Sequence, residues 1–302
     1  MDWKEKFERL RQKHSVVVKE VRQQQQRPLP VPASVPASPA PVSNADLRLK
    51  NFKEMKLSRN KVVVPNLLGR YKIFRAIKKG RRKYYQEKTL IKAYTNLEIS
   101  GLKIYIKGKE LNQYDLNIWL WIIKKFHSHF NNEYLVSFSG YELLKFLNQY
   151  RPSKKGYQYL DDVIKRLMTT LFTVQFNYEK KYRFRSSLIL SEKANLSDKT
   201  YCLNLSDPLV MLFSLENWSL CDFSIRLALK QKELAQEFQL FLTTHKSPFW
   251  ATKDVLYQDF GSEYKDKSLF LKDFRRRVIK PLQGINFIKK IEEKETAIGF
   301  FY

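Results

Sequence analysis

The sequence predicts an α+β fold in which a helix, a turn, a second helix and a strand pair occur twice, and three observations carry that expectation. Apolar residues recur at helical spacing in the long segments Gln113–His127 and Ile225–Thr243. Each of these is followed by a shorter helical pair with a turn between them. Each pair is followed by strand-like segments separated by a charged turn, Leu171–Tyr178 and Tyr182–Leu190 in the first case and Phe287–Glu292 and Ala297–Tyr302 in the second.

The elements follow in order. Residues 1–27 read as one amphipathic helix ending in the polar run Gln23–Gln26. Residues 28–43 are rich in Pro, Ala, Val and Ser, a composition that forms an extended linker and builds no core. Residues 44–61 are a basic lead-in. Val62–Val64 and Ile104–Lys107 are strand-like. In Gln113–His127, Ile118, Trp119, Ile122, Ile123 and Phe126 share one helical face. Leu135–Phe138 is a short strand. Ser139 caps a helix over Tyr141–Asn148, with Glu142 placed to complete a capping box. A second helix spans Tyr157–Thr170 after the turn Arg151–Gly156. Its partner unit runs from the strand Tyr201–Leu205 through Asp207–Phe213 to the helix Ile225–Thr243. That helix is expected to be continuous, with Leu227, Leu229, Leu234, Phe238 and Leu242 inward. Lys253–Asp259 is a short helix capped by Thr252, and Lys267–Leu282 is a strongly basic one. Two tandem winged-helix domains are therefore expected, at residues 62–190 and 191–302, behind an N-terminal helix (1–27) and a Pro-rich linker with its basic lead-in (28–61).

Charge points to the partner. Lys and Arg number 56 against 30 Asp and Glu, a net charge of +26, which attracts polyanions before any fold is considered. No run of about 18 apolar residues exists for a membrane-spanning helix. Met1–Phe7 lacks the apolar core of a signal peptide, so a cytoplasmic, DNA-associated location is expected. Cys202 and Cys221 build neither a disulfide framework nor a zinc knuckle and read as buried small hydrophobes. The 9 glycines form no phosphate-cradling loop. No cofactor is expected.

The basic helix Lys267–Leu282 is the leading candidate for the DNA major groove. Leu269, Phe270, Phe274 and Ile279 are expected to face inward, leaving Lys267, Ser268, Lys272, Arg275, Arg276 and Lys280 for phosphates and bases. Arg275, Arg276 and Arg277 fall on successive faces, so at most two point outward together. The bland alternative is a solvated amphipathic helix. Tyr157–Thr170, with Lys154, Lys155 and Lys165, reads as a weaker binder, because Asp161 and Asp162 share its outer face. The block Lys78–Lys83, with Arg81, Arg82 and Lys83 beside Tyr84 and Tyr85, suits a loop that tracks phosphates or stacks on an unpaired base. About six phosphate contacts would give a slope near −5 of log affinity against log salt.

Catalysis finds little support. His127 and His129 resemble the paired ligands of a rolling-circle nickase, which also needs a tyrosine nucleophile. Residues two apart on a helix point about 200° apart and cannot share an ion. Asp115, Asp161, Asp162, Asp207, Asp222 and Glu233 show no two-metal spacing. The chain is expected not to be an enzyme. Gln239–Leu242 superficially matches a sliding-clamp-binding peptide but lies in a core helix, whereas Ile73-Phe74 in the loop Gly69–Phe74 reads as accessible.

Taken together, Val64–Phe74 and Gly80-Arg81-Arg82-Lys83, the Gly108–Leu111 turn, the helix start Asp115–Trp119 and the helix Tyr157–Thr170 make the chain resemble a plasmid replication initiator of the TrfA type. The match covers roughly residues 62–300, dense to about 178 and thinner beyond. The resemblance implies two winged-helix domains that bind iterons, the direct repeats of a plasmid origin, as double-stranded DNA. It implies opening of an AT-rich region as single strands and recruitment of the host initiator, replicative helicase and sliding clamp. It assigns stronger major-groove reading to the C-terminal domain, and backbone contacts and a homodimer interface to the N-terminal one. Ile73-Phe74 falls where the family has its clamp-binding Leu-Phe pair. The rivals are a winged-helix regulator or autorepressor bound to a palindrome, and the nickase.

Overall fold

The structure, a computed structural model, describes residues 57–58, 60–77, 80–95, 102–128, 134–147, 152–177, 181–195, 197–206 and 218–302. The expected N-terminal helix, the Pro-rich linker, most of the lead-in, Lys78, Lys79, His129 and the Asp207–Phe213 segment lie outside them.

The first described strand, β1 (Lys61–Pro65), is buried through Val62, Val63 and Val64 and leads into the short helix α1 (Asn66–Arg70). β2 (Phe74–Arg75) follows, then β3 (Tyr84–Ile91), a largely exposed strand that periodicity did not predict. β3 pairs antiparallel with β4 (Leu102–Lys109), in which Leu102, Ile104 and Ile106 are buried while Lys103, Lys107 and Lys109 stand exposed. β5 (Leu111–Asn112) runs parallel to β2.

The helix α2 (Gln113–Ser128) matches its expected span almost residue for residue. Asn112 Oδ1 accepts from the Tyr114 and Asp115 backbone amides at 3.2 and 3.1 Å, and Asp115 Oδ2 accepts from the Asn112 amide at 3.0 Å. This reciprocal cap starts the helix. Leu116, Ile118, Trp119, Leu120, Ile122 and Ile123 are all buried, so α2 is the central rod of the first core.

β6 (Leu135–Ser139) leads into α3 (Gly140–Phe146), capped as expected by Ser139, whose hydroxyl accepts from the Tyr141 amide at 3.2 Å. Glu142 accepts from Lys125 at 2.8 Å. α4 (Lys154–Thr169) begins three residues earlier than expected, at a Ser153 cap. Next come β7 (Leu171–Asn177), β8 (Lys181–Ser186), β9 (Ile189–Asn195) and β10 (Thr200–Leu205).

The first wing differs from expectation. β7 and β8 pair with each other, but β7 also pairs with β4, giving a four-stranded sheet of order β3-β4-β7-β8. The wing proper is the sheet β6-β10-β9. The boundary expected between residues 190 and 191 therefore falls inside β9, and β9 and β10 complete the first unit. Either hairpin satisfies the sequence pattern; which sheet each joins is decided by tertiary packing.

β11 (Trp218–Asp222) returns to pair with β1. The expected continuous helix is broken into α5 (Phe223–Ala228) and α6 (Glu233–Thr243), with Gln231 at φ 65° in the intervening turn. The break lets the Arg226 guanidinium fold back onto α6. It donates to the Gln236 carbonyl and Gln239 Oε1 at 3.0 and 3.1 Å, and across to Asn117 Oδ1 and Gln113 Oε1 of α2 at 2.8 and 2.6 Å. Arg226 is fully buried among amide oxygens, and burial pushes its pKa down to about 10. It ties the first helices of the two units together.

The second unit continues with β12 (Phe249–Thr252), α7 (Lys253–Phe260) and α8 (Lys267–Phe274). Thr252 caps α7, accepting from the Val255 amide at 3.1 Å, and Asp266 caps α8, accepting from the Leu269 amide at 2.6 Å. A π turn at Arg275–Ile279 joins α8 to α9 (Lys280–Gly284). Pro281 accounts for the turn: it lacks an N–H, and its ring would crowd the Arg277 carbonyl in a regular helix. β13 (Lys290–Glu293) and β14 (Ala297–Phe301) close the sheet β12-β14-β13.

The two units share one order of elements. Helix, strand, helix, helix, strand, strand is α2-β6-α3-α4-β9-β10 in the first and α6-β12-α7-α8-β13-β14 in the second. In both wings the last strand lies in the middle. The β7–β8 hairpin is an insertion in the first unit. The second core gathers on Phe238, whose ring lies 5.0–5.8 Å from those of Phe241, Phe260, Phe274 and Phe300. The architecture is α+β, with two winged-helix units in tandem.

Candidate nucleic-acid interface

The second helix of a helix-turn-helix is offered to the groove by the packing of its other face. In α8 and the π turn, Phe270, Leu271, Phe274, Val278 and Ile279 are buried. Ser268, Leu269, Lys272, Arg276, Arg277 and Lys280 are exposed. Leu269, expected inside, is 54 % exposed, and Leu271 takes the core position. An apolar side chain on such a helix can meet a thymine methyl.

The π turn also changes the arginine count. All three side chains reach solvent, Arg275, Arg276 and Arg277 being 43 %, 66 % and 53 % exposed, where a regular helix allows two outward. Each is held by a carboxylate. Arg275 pairs with Glu293 of the wing. Arg276 donates to Asp273 at 2.7 Å, and Arg277 lies 3.5 Å from the same carboxyl. Lys267 reaches Asp254 of α7 at 2.7 Å. Among the described residues, Lys272 and Lys280 have no ion pair. Burial alone would raise the Asp273 carboxyl, but hydrogen bonds from Arg276 and Tyr264 outweigh it and hold it below its usual range. Arg275 likewise holds Glu293 down.

Asp273 restrains Arg276 and Arg277, Glu293 restrains Arg275, and both carboxylates subtract from the positive field that draws DNA in. Asp273→Asn removes that charge from the helix face. Affinity for scrambled duplex should rise several-fold and its salt dependence should steepen, as filter binding across a salt series would register.

In the first unit, α4 exposes Lys154, Lys155, Asp162 and Lys165. Asp161 is drawn aside to accept from the Tyr201 hydroxyl at 2.6 Å, leaving Asp162 as the acid in the middle of the face. Arg166 is buried, donating to Asp115 at 2.8 Å. Arg81 and Lys83 are exposed, but Arg82 is not available to phosphate. Its guanidinium donates to Asp115 Oδ2 at 2.5 Å and to the Glu110 carbonyl at 3.0 Å. Burial would lower its pKa; the bond to Asp115 overrides that and raises it.

The clamp-binding reading of Ile73 and Phe74 does not survive. They are 4 % and 2 % exposed. The Phe74 carbonyl accepts from Gln113 Nε2 at 2.6 Å, and its ring packs 6.4 Å from that of Trp119. Both lie within a segment pinned to the second unit. The Ala76 amide and Tyr94 hydroxyl donate to Glu237, each at 2.7 Å, and Lys72 donates to Asp259 at 2.9 Å. Burial raises the Glu237 carboxyl. Beside this segment lies a cavity of about 830 Å³ whose lining includes Arg75, Arg276 and Arg277 together with Glu233, Glu237 and Asp259. Its mixed charge does not suit a phosphate. His127 lies in the last turn of α2, and among the described residues no cluster of His, Cys, Asp or Glu could hold a metal ion.

No protein-family model matches this chain, and no curated protein does. Among solved structures, a selenomethionine derivative of domains 2 and 3 of RctB matches with a TM-score of 0.53 at 15 % identity, covering 80 % of this chain and 99 % of that one. A second structure of RctB domains 2–3 gives 0.48 at 12 %, over 78 % and 95 %. The Pi initiator protein in complex with iteron DNA gives 0.43 at 13 %, over 55 % and 79 %. At 15 % identity, the likeness to the first of these structures is one of fold alone.

Proposed function

We propose that this chain is a non-enzymatic replication initiator of the TrfA type that binds the direct repeats of a plasmid origin in the bacterial cytoplasm. The observation that carries it is the face that runs from α8 through the π turn to the start of α9: Ser268, Leu269, Lys272, Arg276 and Lys280 displayed on the second helical element of a helix-turn-helix, beside a wing. The net charge of +26 supplies the sequence-independent attraction. The first unit, with Lys154, Lys155 and Lys165, adds backbone contacts. Two non-identical units joined through Arg226 suit repeats arranged head to tail, each taking one monomer. Opening of AT-rich DNA and recruitment of host initiator, helicase and clamp belong to the same proposal, without Ile73 and Phe74 as the clamp contact. A homodimer that occludes the DNA surface would be the inactive store.

Footprinting on supercoiled plasmid carrying the region around its gene tests this. The reading expects protection repeated head to tail, with permanganate-reactive thymines appearing nearby. Protection of one palindrome by a stable dimer would make the protein a regulator. Metal-dependent nicking that requires His127 and a tyrosine would make it a nickase.

A further inference from the structure

The outer face of the four-stranded sheet β3-β4-β7-β8 belongs to neither helix-turn-helix. Its inner side is sealed by Ile104, Ile106, Phe172 and Val174. By the same alternation its outer side carries Lys103, Lys107 and Lys109 on β4 and Arg183 and Arg185 on β8, all exposed. Lys88 of β3 lies 3.9 Å over the Tyr105 ring. None of these six cations has an ion pair among the described residues, and Glu87 is the one carboxylate in the four strands.

Apolar groups are set among the charges. Cross-strand partners place Leu90 against Tyr105, Tyr84 against Lys109 and Leu171 against Lys107. Tyr84, Leu90 and Leu171 are 67 %, 50 % and 37 % exposed. Lysines and arginines at strand spacing, with rings and aliphatic side chains between them, match a chain of phosphates with splayed bases. A duplex fits less well. Its major groove admits a helix or a two-stranded ribbon, and this face is four strands wide.

We propose that this sheet face binds single-stranded DNA, holding phosphates with Lys103, Lys107 and Arg185 and stacking a base on Tyr84. The inference deepens the initiator reading, since an opened origin supplies such a strand, but its test does not need duplex recognition.

The test is fluorescence anisotropy of the full chain with a labelled thymine oligonucleotide and, separately, a direct-repeat duplex. The sheet variant is Lys103→Gln/Lys107→Gln/Arg185→Gln. A charge-matched control is Lys145→Gln/Lys246→Gln/Lys289→Gln, all on exposed positions away from the face. The sheet variant should lose about tenfold or more in single-strand affinity relative to the control. Its salt slope on single strands should fall by roughly 2, at about 0.7 per phosphate. Duplex affinity should follow the control. Tyr84→Ala should lose about tenfold on the single strand with the slope unchanged. Equal losses in sheet variant and control, no single-strand binding by the parent chain, or a variant effect confined to self-association would overturn the proposal. Absence of any direct-repeat preference would instead bring down the duplex reading, leaving the single-strand arm to be read on its own.

Discussion

Alanine at Lys272, Arg276 and Lys280 together should bring binding of direct-repeat duplex down to the level of scrambled DNA. Lys272 and Lys280 have no carboxylate partner among the described residues, so each can neutralise a phosphate without breaking a pair, and losing each lowers the salt slope by about one. Arg276 must first leave Asp273. That pair is exposed and screened by solvent, whereas a bidentate contact to guanine is a directed, partly desolvated one, so the exchange favours DNA. Arg276→Ala alone should weaken direct-repeat binding roughly 10- to 100-fold and relax preference at one base pair. Lys272→Ala should weaken all sequences alike. Competition binding separates the two. If the triple variant kept its preference, recognition would have to move off α8.

The second large effect is on stability. Asp115 is fully buried at the start of α2, where it accepts from Arg82, Arg166 and the Asn112 amide. Asp115→Ala leaves two guanidiniums close together, with 16 % and 10 % of their side chains exposed, and removes half of the helix cap. Breaking such a buried arrangement costs about 3–5 kcal/mol, roughly 6–20 °C of melting temperature at this size. Asp115→Asn keeps the shape and the cap but not the charge, and should fall between the variant and the parent. Urea denaturation measures both. Because Arg82 is released towards solvent, the alanine variant that remains folded should bind scrambled duplex no more weakly than the parent. A loss under about 1 kcal/mol would mean that the guanidiniums find other partners.

What the sequence revealed of this fold follows from where its information is local. Ser139 and Thr252 cap helices where their side chains predict them, and α2 is written in the spacing of Ile118, Trp119, Ile122 and Phe126. The break at Gln231 is silent, because Leu227, Leu229, Leu234, Phe238 and Leu242 keep helical spacing across it. β3 is exposed along most of its length, so it has no apolar alternation to betray it. The sequence pattern of β7–β8 reads as a wing because sheet membership is set by β4 and β6, distant in the chain. Among the site residues, the outward positions of Lys272, Arg276 and Lys280 were legible from helical period. Leu269 was not, because an apolar residue beside Phe270 reads as core until the helix is rotated into place. Arg82 shows the same limit: its basic block looks like a phosphate tracker, and only the fold brings it to Asp115. The alternation of Lys103, Lys107 and Lys109 with Ile104 and Ile106 was present in the sequence, and its meaning required knowing that β3 and β8 extend the same face.

The central claim is sequence-specific duplex recognition through α8. Its most direct test is competition binding of the purified full chain to direct-repeat DNA from its own replicon against scrambled DNA of equal length, at about 150 mM salt, near physiological ionic strength. The account predicts a preference of about a thousandfold or more, with a salt slope near −5. Equal affinity for the two DNAs would contradict it and reduce the charge of +26 to a non-specific attraction.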